Sequence, residues 1–101
     1  MKENWFKLGM ALFDAGNYSQ ALYAFLNATE FSDGVHQFSA YTWLSHLYDL
    51  RGERKKALQA YEKALEINQD YTMTHSQYNM QINEGWLEQR MEAPFTFKEK
   101  L

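Results

Sequence analysis

Three histidines are the residues whose chemistry first suggests a site. His36, His46 and His75 could each bind a metal ion or move a proton. They share no i, i+4 spacing, and the chain has no His-Glu-x-x-His motif, so their pattern predicts no metal site. We interpret each as a packed or solvated side chain, with hydrogen bonding to a ligand as the alternative for His46.

The chain also lacks the sequence patterns of common active sites. It has no cysteine, no Gly-rich phosphate loop and no G-x-S-x-G nucleophile turn. Its carboxylates fall on polar helix faces, and no pair is marked by the apolar surroundings that acid–base catalysis needs. We therefore expect no catalytic residue, no metal and no cofactor, which makes an enzyme the disfavoured class.

The charge and hydropathy of the chain bear on its possible partners. Arg51, Arg54, Lys55 and Lys56 form one basic cluster, which we interpret as a solvated edge, with an RNA or acidic-partner contact as the alternative. The net charge of −3 and the pI of about 5.5 argue against a dedicated nucleic-acid binder. No apolar run is long enough for a membrane span or a signal peptide. We expect a cytoplasmic protein with neither a nucleic-acid nor a membrane partner.

An internal repeat predicts the elements that position these residues. Residues of the same class recur with an offset of 36 along the chain. A single offset held over seven pairs indicates a repeated structural unit. In each unit, apolar residues recur three to four positions apart, which predicts two amphipathic helices. The pairs are Trp5 and Tyr41, Leu8 and Leu44, Leu12 and Tyr48, Gly16 and Gly52, Ala21 and Ala57, Phe25 and Tyr61, and Ala28 and Ala64.

These residues resemble the tetratricopeptide repeat signature. Two features depart from it: the period is 36 rather than ~34 residues, and the proline that often ends a repeat is replaced by Asp33 and Gln69. We expect the extra residues in a loop from Phe31 to Gln37. The matching motifs are Trp5-x2-Leu8-Gly9-x2-Leu12 with Ala21-x3-Phe25, and Tyr41-x2-Leu44-Ser45-x2-Tyr48 with Ala57-x3-Tyr61.

The resemblance implies an all-α superhelix of two helix-turn-helix repeats and a C-terminal capping helix. Gly16 is expected to end the first helix in a left-handed conformation, and Pro94 to stop the last helix. The predicted helices lie near 2–15, 18–30, 37–50 and 54–67, followed by one from Asp70 or Tyr71 to about Glu92. The predicted domain is 1–92, with repeats at about 2–35 and 38–71 and a cap at about 71–92, before an extended tail at 93–101.

The resemblance also implies a peptide-binding concave surface lined by the first helix of each repeat. The predicted contact residues lie beside the core stripe of these helices. The alternative is that Phe6, Met10 and Phe13 are ordinary core residues, because stripes at helical spacing usually pack. The predicted set is Phe6, Met10, Phe13, Thr42, His46, Asp49, Met73, Met80 and Asn83.

The expected partner is a peptide or helix of another protein. An apolar groove with flexible methionines would adapt to an apolar ligand, and acidic edges would favour some basic character in it. Self-association is the alternative function, in which the groove or the tail with Phe95 and Phe97 contacts a sister chain in a homodimer. The acidic edge residues are Glu3, Asp14, Asp49, Glu53 and Glu84.

Overall fold

The chain folds into two helical hairpins followed by a short β-ribbon and a last helix. The computed structural model describes residues 4–31, 34–67, 73–75 and 80–94. Within each repeat the two helices pack against each other, and the second helix of repeat one packs on the first helix of repeat two. The predicted all-α class, with two helix-turn-helix repeats and a C-terminal helix, is confirmed. The elements are α1 (Trp5–Asp14), α2 (Tyr18–Phe31), α3 (Gly34–Leu50), α4 (Arg54–Ile67), β1 (Met73–His75), β2 (Met80–Ile82) and α5 (Glu84–Glu92).

Left-handed glycines end the first helix of each repeat. Gly16 and Gly52 have φ angles of +82° and +79°. The amide of Gly16 donates to the carbonyl of Phe13 at 3.0 Å, and the amide of Asn17 donates to the carbonyl of Leu12 at 2.8 Å. These bonds form a Schellman motif, and the corresponding bonds recur around Gly52. The predicted helix end at Gly16 is confirmed.

The last helix is shorter than predicted. A helix from Asp70 or Tyr71 is wrong because β1 and β2 pair antiparallel, with Met73 opposite Ile82. Asn83 then starts α5, since its side-chain oxygen accepts a hydrogen bond from the amide of Trp86 at 3.0 Å. An asparagine cap of this kind fixes a helix start that apolar periodicity alone does not reveal.

The longer period of 36 residues coincides with a longer first helix in repeat two. We predicted a loop through Gln37, but α3 begins at Gly34 and runs for 17 residues, against 10 for α1. Residues 32–33 lie outside the described residues, as do residues 95–101 of the tail predicted at 93–101. The division into a domain and a tail stays a prediction.

Small residues let the two helices of a repeat approach closely. Ala21 and Ala28 on α2 are fully buried, as are their counterparts on α4. One close approach is at Gly9 of α1, where a Cβ would lie 2.6 Å from Cε1 of Phe25. Because real Cβ atoms do not approach other atoms so closely, this position requires glycine unless the buried Phe25 ring moves.

We expect Gly9→Ala to destabilise the protein although alanine favours helices. Overpacking costs ~1–3 kcal/mol, which outweighs the ~1 kcal/mol gained in helix propensity. The melting temperature should fall by several degrees, at roughly 4–8 °C per kcal/mol in a domain of this size. Gly85→Ala is the matched control, since that position on α5 is exposed and has room for a Cβ. Thermal unfolding followed by circular dichroism should therefore give opposite signs, and a higher melting temperature for Gly9→Ala would contradict the close approach.

Candidate functional site

The stripe of α1 that was predicted to line a groove faces the next repeat instead. Phe13 is 3% exposed, and its ring centroid lies 5.8 Å from that of Trp43 on α3. Phe6 is half-buried, with its ring 5.9 Å from that of Phe25. Met10 is also half-buried and packs against the core. Phe13 therefore serves the contact between repeats, and Phe6 and Met10 keep only part of their surface accessible.

The predicted contact residues of α3 are buried. Thr42 is fully buried, and its hydroxyl donates to the carbonyl of Phe38 at 2.9 Å. His46 is also fully buried, with its ring centroid 4.5 Å from that of Trp43 and 5.0 Å from that of Trp86 on α5. In this structure neither residue offers surface to a peptide, and Trp86 of α5 lies against His46, where we expected an open groove.

Asp49 lies in a buried polar network that fastens α5. Its side chain is fully buried, and Nη1 of Arg54 donates to both carboxylate oxygens at 3.0 Å. The hydroxyl of Tyr61 donates to Oδ2 of Asp49 at 3.0 Å. Nη2 of Arg54 donates to the carbonyls of Arg90 and Met91 at 2.6 and 2.9 Å. One guanidinium therefore joins the end of α3, the start of α4 and the end of α5.

The phenol of Tyr61 is held in its protonated form. Burial raises the pKa of Tyr61 above its ordinary value of 10.0, and the negative charge of Asp49 raises it further. The hydroxyl therefore remains a hydrogen-bond donor to the carboxylate at neutral pH. This hydrogen bond and the ion pair assign Asp49 a structural role.

Arg54 was missed by the sequence analysis, which interpreted it as part of a solvated edge. The signal was present in the repeat offset, which aligns Asp49 with Phe13 and Arg54 with Tyr18. Phe13 and Tyr18 contact each other in repeat one, with ring centroids 5.4 Å apart. A contacting aromatic pair is thus replaced by a contacting ion pair at the same two positions of repeat two.

The predicted acidic edge is dispersed. Asp49 is neutralised inside the protein, and Glu53 pairs with the side chains of Arg51 and Lys56 at 3.0 and 3.3 Å. Asp14 and Glu84 are exposed, and Glu3 lies outside the described residues. The carboxylates that the structure describes do not form a continuous rim around one groove.

The remaining predicted contacts lie near the β-ribbon. Asn83 caps α5 through its side chain, so it has a structural role there. Met73 and Met80 lie in β1 and β2. A peptide contact by these two methionines stays a prediction.

An open apolar cleft lies on the other side of α1, between α1 and α2. Leu8 is 46% exposed and Tyr23 is 64% exposed, and the rings of Trp5 and Tyr23 stand edge to face with centroids 6.1 Å apart. Trp5, Leu8 and Leu12, whose spacing predicts the apolar face of an amphipathic helix, line a cleft of about 430 Å³. The lining residues are Trp5, Leu8, Leu12, Ser19, Gln20, Tyr23 and Ala24.

Repeat two has a counterpart of this cleft between α3 and α4. Its volume is about 350 Å³. Leu44 takes the place of Leu8 but is only 4% exposed, so the second cleft exposes less leucine surface than the first. The lining residues are Tyr41, Leu44, Tyr48, Lys56, Gln59, Ala60 and Lys63.

The described part of the chain contains no group of three or more His, Cys, Asp or Glu side chains that could hold a metal ion. None of its helices combines the length and the hydropathy that crossing a bilayer requires.

A family model described as tetratricopeptide repeat matches residues 38–71. The matched segment contains most of α3 and all of α4, and its bounds coincide with those predicted for repeat two. No curated protein and no solved structure matches the chain significantly.

We expect Arg54→Gln to loosen α5 and to destabilise the whole protein. Removing the cation leaves Asp49 buried without its ion pair, which costs ~3–5 kcal/mol at fully buried sites. We expect about 2 kcal/mol here, because Arg54 itself is partly exposed. Urea unfolding and amide hydrogen exchange over α5 would measure both effects.

Arg51→Gln is the matched control for this prediction. Arg51 is exposed and pairs only at the surface with Glu53, so its loss should cost less than ~1 kcal/mol. Unchanged exchange of the α5 amides in Arg54→Gln would show that the guanidinium does not hold this helix.

Proposed function

We propose that this chain is a non-catalytic module that binds an apolar peptide or helix of a partner protein, because a tetratricopeptide repeat model matches its residues 38–71. Tetratricopeptide repeats generally mediate protein–protein interaction. The observation that carries the proposal is the cleft between α1 and α2, with Leu8 and Tyr23 exposed at it. Apolar surface of this kind, grouped in a concave site, is typical of a binding site.

The lining of the α1–α2 cleft supports an apolar partner. None of its seven lining residues is charged. The basic character predicted for the partner depended on acidic edges that the structure does not bring together, so we retain only the apolar character. Trp5, Leu12 and Tyr23 could form the walls around an inserted aliphatic or aromatic side chain, since ring edges and faces contact such groups well.

Part of the predicted concave face is also accessible to a partner. Phe6 and Met10 are half-buried, and the exposed His36 lies beside Phe6 with ring centroids 6.3 Å apart. These residues and the cleft lie on two different stripes of α1, roughly 130° apart around the helix axis at 100° per residue. Paired substitutions on each stripe can therefore separate the two surfaces.

The cleft stripe should be the one that carries affinity. Random peptides displayed on phage would be selected on the purified chain, and the enriched peptides would be synthesised for fluorescence anisotropy. We expect Leu8→Ser combined with Tyr23→Ser to weaken binding about tenfold or more, because each apolar side chain buried by a ligand contributes ~1.5–3 kcal/mol. Both positions are exposed, so the fold should persist, which circular dichroism would check.

Phe6→Ala combined with Met10→Ala is the matched comparison on the concave stripe. A large loss in this variant with none in the cleft variant would place the peptide on the concave face. Failure of the selection to enrich any peptide would contradict a peptide-binding function.

Self-association is the second candidate, because the exposed apolar cleft could equally be covered by a sister chain. Sedimentation velocity across micromolar concentrations would detect this. A dimer that dissociates when Leu8 and Tyr23 are replaced by serine would assign the cleft to the homodimer, whereas a monomer throughout would leave it to a partner.

A further inference from the structure

The cleft of repeat two differs from that of repeat one chiefly in charge. Its lining includes two tyrosines and two lysines, and no carboxylate belongs to it. The offset of 36 aligns Lys56 with Gln20 and Lys63 with Asn27. Neutral polar side chains in repeat one are therefore replaced by two cations at the equivalent positions of repeat two.

Both lysines are available to a ligand. Their side chains are each 60% exposed, and the ammonium of Lys56 lies 5.7 Å from the ring centroid of Tyr48. A cation held near an aromatic face stays close to the cleft wall. The cleft thus combines apolar aromatic surface with positive charge at its edge.

Two glutamates approach these lysines from outside the cleft. Glu53 lies 3.3 Å from Lys56, and Glu66 lies 3.5 Å from Lys63. Glu53 is shared with Arg51 at 3.0 Å. Exposed ion pairs of this kind contribute only ~0–1 kcal/mol, so a carboxylate that a ligand positions over the cleft could compete with both glutamates.

The two clefts are neighbours in the repeat array. Their first walls are α1 and α3, and these helices contact each other. The longest dimension of the molecule is 39 Å, a distance that about 12 extended residues of a peptide would cover. One segment of a partner could therefore reach from the first cleft to the second.

We propose that the α3–α4 cleft binds the acidic part of the same partner segment whose apolar part occupies the α1–α2 cleft. Aspartate or glutamate side chains of the partner would pair with Lys56 and Lys63, and an adjacent apolar side chain would pack on Tyr41 and Tyr48. This inference rests on the proposed function, because it takes the occupant of both clefts to be a polypeptide. Complementary charge would fix the direction in which that segment lies across the repeats.

Variants that copy repeat one into repeat two test the charge directly. Lys56→Gln combined with Lys63→Asn gives these two positions the side chains that repeat one has at the aligned positions. Lys7→Gln combined with Lys55→Gln is the matched control, because it removes the same charge from exposed positions that line neither cleft. Thermal unfolding would check that both double variants keep the fold.

The phage-selected peptides are the probe. We expect them to be enriched in Asp and Glu on one side of an apolar residue, and to bind the cleft variant about tenfold more weakly at low salt. The control variant should change affinity by less than about twofold, as expected for screened charges away from the ligand. Replacing the acids of the peptide by Asn and Gln should remove the difference between the variants, as a double-mutant cycle requires.

The outcomes separate this inference from the proposed function. Peptides that bind through Leu8 and Tyr23, but lack acids and ignore Lys56 and Lys63, would overturn the acidic partner and leave the apolar cleft standing. No enriched peptide would overturn both proposals. Single-stranded polyuridylate could instead displace the peptide from the native chain and not from the Lys56→Gln, Lys63→Asn variant; that result would assign the lysines to phosphate binding and would overturn the acidic polypeptide.

Discussion

The guanidinium of Arg54 is the interaction on which the arrangement of this molecule depends most. It neutralises the buried carboxylate of Asp49 and also donates to two carbonyls at the end of α5. Those carbonyls have no partner within their own helix, so α5 gains both a hydrogen-bonded end and a fixed position. Once α5 is fixed, Trp86 covers His46 and this part of the first-helix face is closed. The guanidinium of Arg54 therefore helps to keep the face around His46 closed to a partner.

The repeat positions of Asp49 and Arg54 show how a repeat changes its chemistry while keeping its geometry. Phe13 and Tyr18 join the helices of repeat one through a ring contact, whereas Asp49 and Arg54 join those of repeat two through an ion pair. The Phe13 and Tyr18 side chains carry a single hydroxyl between them for hydrogen bonding. A guanidinium has five donors in a fixed fork, which leaves donors for the carbonyls of a following helix. The ion pair is thus suited to the repeat on which α5 docks.

Patterns among neighbouring residues predicted much of the fold. The features that they missed depend on which elements pack on each other in the folded chain. The turns at Gly16 and Gly52 were predictable because a Schellman motif involves only a few consecutive residues. The start of α5 was not, because the apolar spacing there suited a helix while the chain forms a β-ribbon before the Asn83 cap. In the candidate site, the periodicity of α1 correctly separated two stripes. It could not say which stripe would meet α3, since that depends on the stacking of the repeats.

Leu8 and Leu44 show why the candidate site could not be assigned from residue type. Both are leucines at the same position of the repeat, yet one is 46% exposed and the other 4% exposed. A repeat motif specifies an apolar side chain at this position in every unit, because each unit normally buries it against a neighbour. Where no described element covers that position, the residue that would otherwise build the core becomes exposed apolar surface. In this chain that surface supplies the cleft in which we place the partner.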